Sequence, residues 1–338
     1  MKTKIIAEIG PNHNGDLRLA LKIISKLKNS GVDFIKFQIA NPKEVYSKDA
    51  FLANYQKKNI IEKNIIDMSK KLQLSKKDHL KIYQYCKKSK IRYSCSAFDY
   101  KSLKYIYDNF NLPFFKIPSG EILSLDLLDF IKSKNLPILI STGTSNIKEI
   151  EFSINYLQSK EKKNITIIHC TSSYPTKLDD VNMNFMNYLK EKFNTKIGYS
   201  DHTLGSKASI LAASMGAEII EKHVTLDKNM IGPDHKASME LNDFISLVKE
   251  IKLINKMQGK YNKTISLDTM NVKNVAMKSC VANKNLKKNS LLKKEDIIFK
   301  RPGIGILPNE LEKYLGKRIN KNIGIDRVIF KKDVNKNW

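Results

Sequence analysis

Two histidines end consecutive strand-like runs and are spaced as two ligands of one metal ion would be in a parallel barrel. His202 ends the run GYSDH, and His223 ends the run EIIEKH 21 residues later. Because alternate residues of a strand share a face, Ser200 lies on the side of His202, and Glu221 lies on the side of His223. Two imidazoles at neighbouring strand ends can hold a divalent metal ion that polarises a carbonyl group. The pattern indicates an enzyme.

Lysines, hydroxyls and carboxylates occupy the ends of most other strand-like runs. Converging lysines and hydroxyls bind a phosphate or carboxylate through charge and multiple donors. A single polar residue on a strand is usually structural, so the prediction rests on their concentration at one end of many strands. These strand-end candidates are Glu8, Lys36, Gln38, Ser94, Ser96, Lys116, Ser119, Glu121, Ser141, Thr142, Thr171, Tyr174, Ser200 and Glu221. The remaining histidines are predicted to be structural. His13 is the strongest candidate for an exception, because it lies in the first βα loop.

The elements that must position these residues alternate strand-like and helix-like patterns up to about residue 257. A clear helical face begins at Ile147, where Asn146 and Glu149 form a capping-box pattern. The predicted strands are 4–9, 34–39, 92–98, 114–118, 137–142, 165–171, 196–201 and 218–224. Eight units over roughly 255 residues fit a (β/α)₈ barrel. A doubly wound sheet would gather its functional groups on a few strands, so their presence on almost every strand predicts a closed TIM barrel.

Three segments depart from this repeat. The stretch 41–75 is too long for an ordinary βα loop and is predicted to fold over the barrel mouth as a lid. Residues 258–275 are weakly patterned, and residues 276–338 contain short apolar segments and turn residues. The predicted organisation is therefore a barrel domain at 1–257, a linker at 258–275 and a small, mostly β module at 276–338.

The formal net charge of +26 raises the question of a nucleic-acid partner. Only five of the basic residues are arginines, although arginine is preferred for bidentate recognition of bases and phosphates. The lysines are spread along the chain, and no nucleic-acid-binding motif is present. We therefore predict solvated lysine-rich surfaces and no nucleic-acid partner, although the field would speed association with an anionic substrate.

Cysteine usage and hydropathy indicate the compartment. The four cysteines are scattered without a CxxC motif, which argues against a disulfide framework or a structural zinc site. No apolar run approaches the roughly 20 residues needed to span a bilayer, and Glu8 interrupts the apolar stretch that a signal peptide would need. These features predict a cytoplasmic protein without a membrane partner.

Two loop residues are weaker candidates. Asp234 follows a Gly-Pro pair after the eighth strand, where a tight turn is the simple explanation. Its expected place at the barrel mouth would make it a substrate contact. Arg301 lies in the loop KRPG of the C-terminal module, and an arginine on such a loop usually faces solvent. It would matter for the site only if the module reaches a barrel mouth.

These motifs resemble the sialic acid (nonulosonate) synthase family, which includes N-acetylneuraminate, N,N'-diacetyllegionaminate and pseudaminate synthases. The matching segments run in the family's order along almost the full chain. They are IAEIGPNHNGDL (6–17), IKFQ (35–38), FKIPSGE (115–121), STG (141–143), HCTSSYPT (169–176), GYSDHT (198–203), EKHVTLDKNMIGPDHKAS (221–238) and KRPGIGI (300–306). The resemblance implies a TIM barrel followed by a C-terminal antifreeze-like (SAF) domain, the same division that the pattern predicts.

The resemblance also implies a reaction and a set of residue roles. A carbon–carbon bond-forming transferase would condense phosphoenolpyruvate with an N-acylated mannosamine-type sugar, either N-acetylmannosamine or its 6-deoxy diacetamido analogue. C3 of phosphoenolpyruvate attacks the open-chain aldehyde, water adds at C2, and phosphate leaves by C–O cleavage. The implied metal ligands, for Mn²⁺ or Mg²⁺, are His202 and His223. The implied catalytic residues are Glu8, Glu121, His223 and Asp234. The implied substrate-binding residues are Lys36, Gln38, Ser96, Lys116, Ser119, Ser141, Tyr174, Ser200 and Arg301. Arg301 would come from the neighbouring protomer of a domain-swapped homodimer.

The sequence leaves the sugar and one other reaction open. TSSYP at 171–175 stands where some neuraminate synthases have Thr-Asn-x-Tyr-Pro, and SCSAF at 94–98 replaces Ser-Thr-Pro-Phe. The segments GYSDHT and GPDHKAS are nearer to the legionaminate branch, and a pseudaminate synthase acting on the altrose-type sugar is the alternative. A Schiff-base aldolase is the competing class. Its lysine would be Lys116, because Lys222 faces away if Glu221 and His223 face inward.

Overall fold

The computed structural model describes residues 2–158, 164–260 and 262–335. It divides into two compact units, Met1–Gly259 and Lys260–Trp338. Met1 and 159–163 of the predicted barrel domain, Tyr261 of the predicted linker and 336–338 of the predicted module lie outside the described residues.

Eight parallel strands close into a barrel in the first unit. They are β1 (Lys4–Glu8), β2 (Phe34–Ile39), β3 (Arg92–Ala97), β4 (Phe115–Ile117), β5 (Ile138–Ser141), β6 (Ile165–Cys170), β7 (Lys196–Asp201) and β8 (Ile219–Thr225). Each strand pairs with the next, and β1 also pairs with β8 from Lys4↔Ile219 to Glu8↔His223. An open doubly wound sheet would leave edge strands unpaired. The closure therefore confirms the predicted TIM barrel. A two-residue strand, β9 (Met239–Glu240), pairs with the end of β8.

Amphipathic helices cover the outside of the barrel. Their bounds are α1 (Leu17–Leu27), α5 (Lys76–Lys88), α6 (Tyr100–Asn109), α7 (Leu125–Lys132), α8 (Ile147–Gln158), α9 (Met183–Phe193), α10 (Lys207–Ser214) and α11 (Leu241–Met257). The predicted capping box opens α8, since Asn146 accepts hydrogen bonds from the backbone of Lys148 and Glu149, and Glu149 accepts one from the backbone of Asn146. Apolar side chains of these helices and the outward-facing strand residues form one core.

Strand register sets the order of polar side chains around the mouth. Glu8 pairs with Lys36 on one side and with His223 on the other. Two further pairs, Ser96↔Lys116 and Ser200↔Glu221, lie at the same end of the sheet. Because the strands are parallel, these residues all come to the carboxyl-terminal rim.

The predicted lid (41–75) contains three short helices, α2 (Pro42–Val45), α3 (Asn54–Asn59) and α4 (Ile65–Leu72). Several of its residues line the cavity described below: Val45, Tyr46, Tyr55, Gln56, Met68, Ser69, Leu72 and Gln73. The segment therefore lies over the mouth as predicted.

The second unit is small. The strands β10 (Ser279–Ala282) and β11 (Ile297–Lys300) pair antiparallel, around a core that includes Leu286, Leu292 and Ile319. The helix α12 (Leu267–Ala276) covers the second half of the predicted linker and ends at the first residue of the predicted module. None of its residues is buried. In the described ranges, no helix is long and apolar enough to cross a membrane.

Candidate active site

A cavity of about 270 Å³ opens at the carboxyl ends of the barrel strands, slightly smaller than the roughly 300–1,000 Å³ typical of small-molecule sites. The structure brings eleven of the predicted site residues together in its lining. They are Lys36, Gln38, Ser96, Lys116, Ser119, Ser141, Tyr174, Ser200, His202, His223 and Asp234. Strand period and parallel register account for the convergence of the members that lie on strands. Ser119, Tyr174, His202 and Asp234 come from the segments that follow strand ends.

Two lysines and two glutamates form a buried charged group at the base of the site, the lysine–glutamate cluster (Glu8, Lys36, Lys116 and Glu221). Lys36 Nζ lies 2.5 Å from Glu8 Oε2 and 3.8 Å from Glu221 Oε1. Lys116 Nζ lies 3.9 Å from Glu221 Oε1 and donates a hydrogen bond to Ser141 Oγ at 2.6 Å. All four charged residues are less than a tenth exposed. The cluster therefore presents two ammonium groups close to several hydroxyls, which is the donor set an anionic ligand requires.

Burial and mutual attraction shift the pKa values within the cluster. Burial raises the pKa of Glu8 to about 7, although Lys36 opposes the shift. Burial would lower the pKa of Lys36, but the carboxylates of Glu221 and Glu8 outweigh it and raise that pKa. Burial likewise favours neutral Glu221, yet Lys116 and Lys36 lower its pKa. Burial lowers the pKa of Lys116. Lys36 and Glu221 therefore hold their charges at neutral pH.

The two predicted metal ligands lie side by side, with ring centroids 5.6 Å apart. His202 Nδ1 is 2.8 Å from the carbonyl of Thr171, which can only accept, so Nδ1 carries the proton and Nε2 has a free lone pair. His223 Nδ1 is buried without a hydrogen-bond partner among the described residues and lies 3.7 Å from Asp234 Oδ2. Burial lowers the pKa of both imidazoles, which keeps them neutral as metal ligation requires.

These observations fit a divalent cation held by two imidazoles. A backbone carbonyl that fixes the tautomer of a ligating histidine is the usual outer support of such sites. Within the described ranges, no group of three or more His, Cys, Asp or Glu residues could hold a metal ion. His202 and His223 would therefore leave most of the coordination shell to substrate and water.

Three residues to which the resemblance assigns a role are absent from this lining, as are the strand-end candidates Ser94, Thr142 and Thr171. Glu8 is fully buried beside Lys36 and accepts a hydrogen bond from Gln38. Glu121 lies in a neighbouring cleft, where Ser124 Oγ donates to its Oε2 at 2.5 Å and burial raises its pKa. Arg301 belongs to the second unit, where it is exposed at a surface cavity of that unit. The structure thus places Glu8 beneath the site and Glu121 in the neighbouring cleft.

Other lining residues had no assigned role in the sequence analysis. Glu221 is a strand-end candidate to which the resemblance assigns no role, and Cys170 stands at the end of β6, where the strand-end rule could have found it. His13 also lines the cavity, in agreement with its exceptional position. The sequence does not show which lid residues line the cavity, because their contacts follow no strand or helix period.

The outer face of the same strands carries a separate ion pair. Lys222 Nζ lies 2.8 Å from Asp201 Oδ2 and donates to the carbonyl of Thr203 at 2.9 Å. Asp201 also accepts a hydrogen bond from Ser209 in α10. Lys222 therefore faces away from the cavity, as predicted.

Fold and site together define a barrel enzyme with a buried lysine–glutamate cluster at the base of its cavity and two histidines at its mouth. The chain belongs to the NeuB family, which matches residues 23–263, and residues 278–335 match the SAF domain. The chain is 41% identical to the N,N'-diacetyllegionaminic acid synthase of Campylobacter jejuni, over 97% of this chain and 99% of that protein. It is 37% identical to the Legionella pneumophila synthase of the same name, over 94% and 91%.

A solved structure agrees with these relatives. The N-acetylneuraminic acid (sialic acid) synthetase of Leptospira borgpetersenii, in complex with citrate, is 31% identical with a TM-score of 0.71, covering 80% of this chain and 90% of that chain. These findings confirm the predicted sialic acid synthase family and the predicted barrel-then-SAF order. The chain is a member of a family of synthases that make sialic-acid-like sugars.

Proposed function

We propose that this enzyme condenses phosphoenolpyruvate with an N-acylated mannosamine-type sugar to give a sialic-acid-like nonulosonate and inorganic phosphate. A bond forms between C3 of phosphoenolpyruvate and the aldehyde carbon of the sugar. Water adds at C2, and the C2–O bond to phosphate breaks. The observation that carries the proposal is the placement of Lys36 and Lys116 beside serine hydroxyls in the same cavity as two neutral imidazoles.

The lysine–glutamate cluster would bind the anionic substrate. Phosphate and carboxylate oxygens would replace the long contacts that Glu221 makes with Lys36 and Lys116, 3.8 and 3.9 Å. Glu8, with a pKa raised by burial to about 7, can hold or release a proton beside Lys36 as the charge of the site changes. Ser96, Ser141 and Ser200 would supply the neutral donors.

The histidine pair would hold Mn²⁺ or Mg²⁺. Such an ion polarises an aldehyde oxygen as a Lewis acid. His202 and His223 would orient it, and Asp234, whose pKa burial raises to about 7, would exchange a proton with the sugar. Dialysis against EDTA should abolish turnover, and added Mn²⁺ or Mg²⁺ should restore it. Full activity after metal removal would contradict this part of the proposal.

The acceptor proposed first is the 6-deoxy diacetamido mannose-type sugar, which would make the product N,N'-diacetyllegionaminate. Support comes from the two relatives that carry this name, at 41% and 37% identity. Phosphate release from phosphoenolpyruvate should be measured with this sugar, with N-acetylmannosamine and with the altrose-type isomer. Preference for the altrose-type isomer would indicate a pseudaminate synthase, and release with none of the three would contradict the proposed reaction.

We further propose that Arg301 contacts the sugar in the barrel of a neighbouring protomer, in a domain-swapped homodimer. Arg301 is exposed within its own unit, so its guanidinium is available for a bidentate contact. Arg301→Ala should raise the KM for the sugar. Mixing this variant with an inactive barrel variant should restore activity, because one protomer of a mixed dimer would keep both parts. Absence of complementation under conditions of subunit exchange would contradict the swapped arrangement.

A Schiff-base aldolase remains the second candidate because burial lowers the pKa of Lys116, a property that favours a nucleophilic amine. Borohydride reduction in the presence of substrate distinguishes the two reactions. The synthase should give no lysine adduct and one phosphate per product, whereas the aldolase would be labelled at Lys116 and would work without metal.

A further inference from the structure

The loop that presents Asp234 is supported from the barrel side by the first βα loop. Asn14 Nδ2 donates a hydrogen bond to the carbonyl of Ile231 at 2.9 Å. Asn14 Oδ1 also lies 3.2 Å from His235 Nε2. Packing is so close that a Cβ at Gly232 would come within 2.6 Å of the His235 ring and 2.8 Å of Asn14 Oδ1. This side of the loop therefore has little room to adjust.

The same loop is supported from the lid side by Asn59, the last residue of α3. Asn59 Nδ2 donates a hydrogen bond to the carbonyl of Pro233 at 3.2 Å. The Asn59 carbonyl accepts a hydrogen bond from the Gly232 backbone at 3.2 Å. Both contacts fall on the main chain immediately before Asp234.

The two ends of the lid are firmly attached to the barrel. Asp99, at the start of α6, accepts a hydrogen bond from the backbone of Asn41 at 2.7 Å. Gln73 accepts one from the backbone of Ala40 at 2.9 Å. Asp99 is itself buried and also caps α6. The two ends of the lid therefore stay attached to the barrel even when the tip of the lid, the helix α3 and its flanking residues, moves.

The tip of the lid has little packing of its own. No residue of α3 is buried. Of the apolar residues that flank it, Phe51 and Ile61 are 82% and 69% exposed, and Leu52 is buried. The ring of Tyr55 stacks on that of Tyr174, with 5.0 Å between the centroids. A segment with so few buried contacts opens more readily than the barrel that it covers.

We propose that Asn59 is a positioning residue through which the seated lid fixes the main chain before Asp234. The Asp234 carboxyl then faces His223 in its active position only while the lid is closed. Closure of the lid therefore covers the site and completes it at the same time. This inference rests on the proposed function for its catalytic consequence. The structural coupling between lid tip and loop stands on the contacts alone.

The test compares Asn59→Ala and Asn59→Asp with the control Asn54→Ala. Asn54 begins the same helix, is exposed, and its side chain has no hydrogen bond to any other described residue. Hydrogen–deuterium exchange of peptides covering 226–238 reports on the loop without any substrate. Steady-state kinetics with phosphoenolpyruvate and the best sugar report on catalysis, and circular dichroism confirms folding.

We expect hydrogen–deuterium exchange across 226–238 to be faster in both Asn59 variants than in the parent protein. Exchange in the Asn54→Ala control should match that of the parent. Loss of one hydrogen bond should lower kcat by about three- to ten-fold, with the KM for phosphoenolpyruvate unchanged. Asn59→Asp should have the larger effect, because its carboxylate repels the Pro233 carbonyl oxygen in addition to losing the donor. Unchanged exchange would overturn the coupling, and faster exchange with normal kcat would overturn the positioning role. If no sugar supports turnover by the unmodified enzyme, the proposed function fails while the exchange data still decide the coupling.

Discussion

Strands β7 and β8 carry buried charges on both faces, and the two faces differ in how completely those charges are paired. On the outer face, Asp201 accepts hydrogen bonds from Lys222, Ser209 and Thr203 at 2.5–2.8 Å. On the inner face, Glu221 Oε1 lies 3.8 and 3.9 Å from its two lysines. Glu221 Oε2 has no hydrogen-bond partner among the described residues.

The difference distinguishes a structural ion pair from a candidate binding site. A buried charge with a complete set of partners has nothing further to bind, and its loss should be felt in folding. A buried cluster whose donors and acceptors are incompletely matched retains capacity for a ligand. Sequence neighbours such as Glu221 and Lys222 can therefore serve opposite purposes, because alternate side chains leave a strand on opposite faces.

Breaking the outer pair should have the largest effect. In Lys222→Met, Asp201 remains as a buried carboxylate without its counter-ion, a change that costs roughly 3–5 kcal/mol of unfolding free energy. Urea unfolding should show this loss, and the double variant Asp201→Asn, Lys222→Met should recover most of it. A single variant as stable as the parent would mean that the outer pair is not structural.

Removing a lysine from the inner cluster should act on catalysis instead. Lys36→Met should lower turnover by about 10²–10³-fold, the usual effect of losing one preorganised donor to a charged group. Stability should change by less than about 1 kcal/mol, because Glu8 has a raised pKa of about 7 and can take up a proton. The phosphate-release assay and urea unfolding measure the two quantities. A large loss of stability with normal turnover in Lys36→Met would contradict the inferred difference between the inner and outer faces.

Protonation of a buried histidine outside the cavity should affect the stability of the fold. His79 in α5 is fully buried against Tyr93, and burial lowers its pKa to about 4. Its unfolded pKa is roughly 6.5, so the unfolded chain takes up the proton first as pH falls. The contribution of neutral His79 to the free energy of unfolding is therefore complete above pH 6.5 and is lost as the pH falls towards 4. Between pH 7 and pH 5 the loss is about 2 kcal/mol. Urea unfolding at both pH values should show this loss, and His79→Gln should reduce it. Equal pH dependence in both proteins would contradict the assignment.

The smallest effect is expected at Ser209, which supplies one of the hydrogen bonds to Asp201. Ser209→Ala should reduce the free energy of unfolding by about 1.5 kcal/mol, as for the loss of one hydrogen bond to a charged group. Turnover should remain at the parent level because α10 does not line the cavity. Reduced turnover with unchanged stability would show that the outer network acts on the site itself.

Regular elements explain why much of this arrangement was predictable from sequence. The two-residue period put Glu221 and His223 inside and Lys222 outside, and the capping pattern at Asn146 marked the start of α8. The period fails where a strand ends: Ser119–Glu121 is a 3₁₀ turn, which rotates Glu121 away from the direction that a continued strand would give.

Contacts without periodicity could not be predicted. Asn59 meets Pro233 across 174 residues of chain, and nothing in the local sequence of either segment marks that encounter. A tertiary contact, rather than local propensity, decides this encounter.

The pairing of β1 with β8 also has a consequence for synthesis of the protein. Glu8 leaves the ribosome before His223, yet the two are neighbours in the finished sheet. A nascent chain cannot complete the rim of the cavity until the eighth strand has emerged and closed the ring. Fragments that end before β8 would therefore lack a complete cavity, and any chaperone that shields the unpaired edge of β1 would have to hold it until β8 is made.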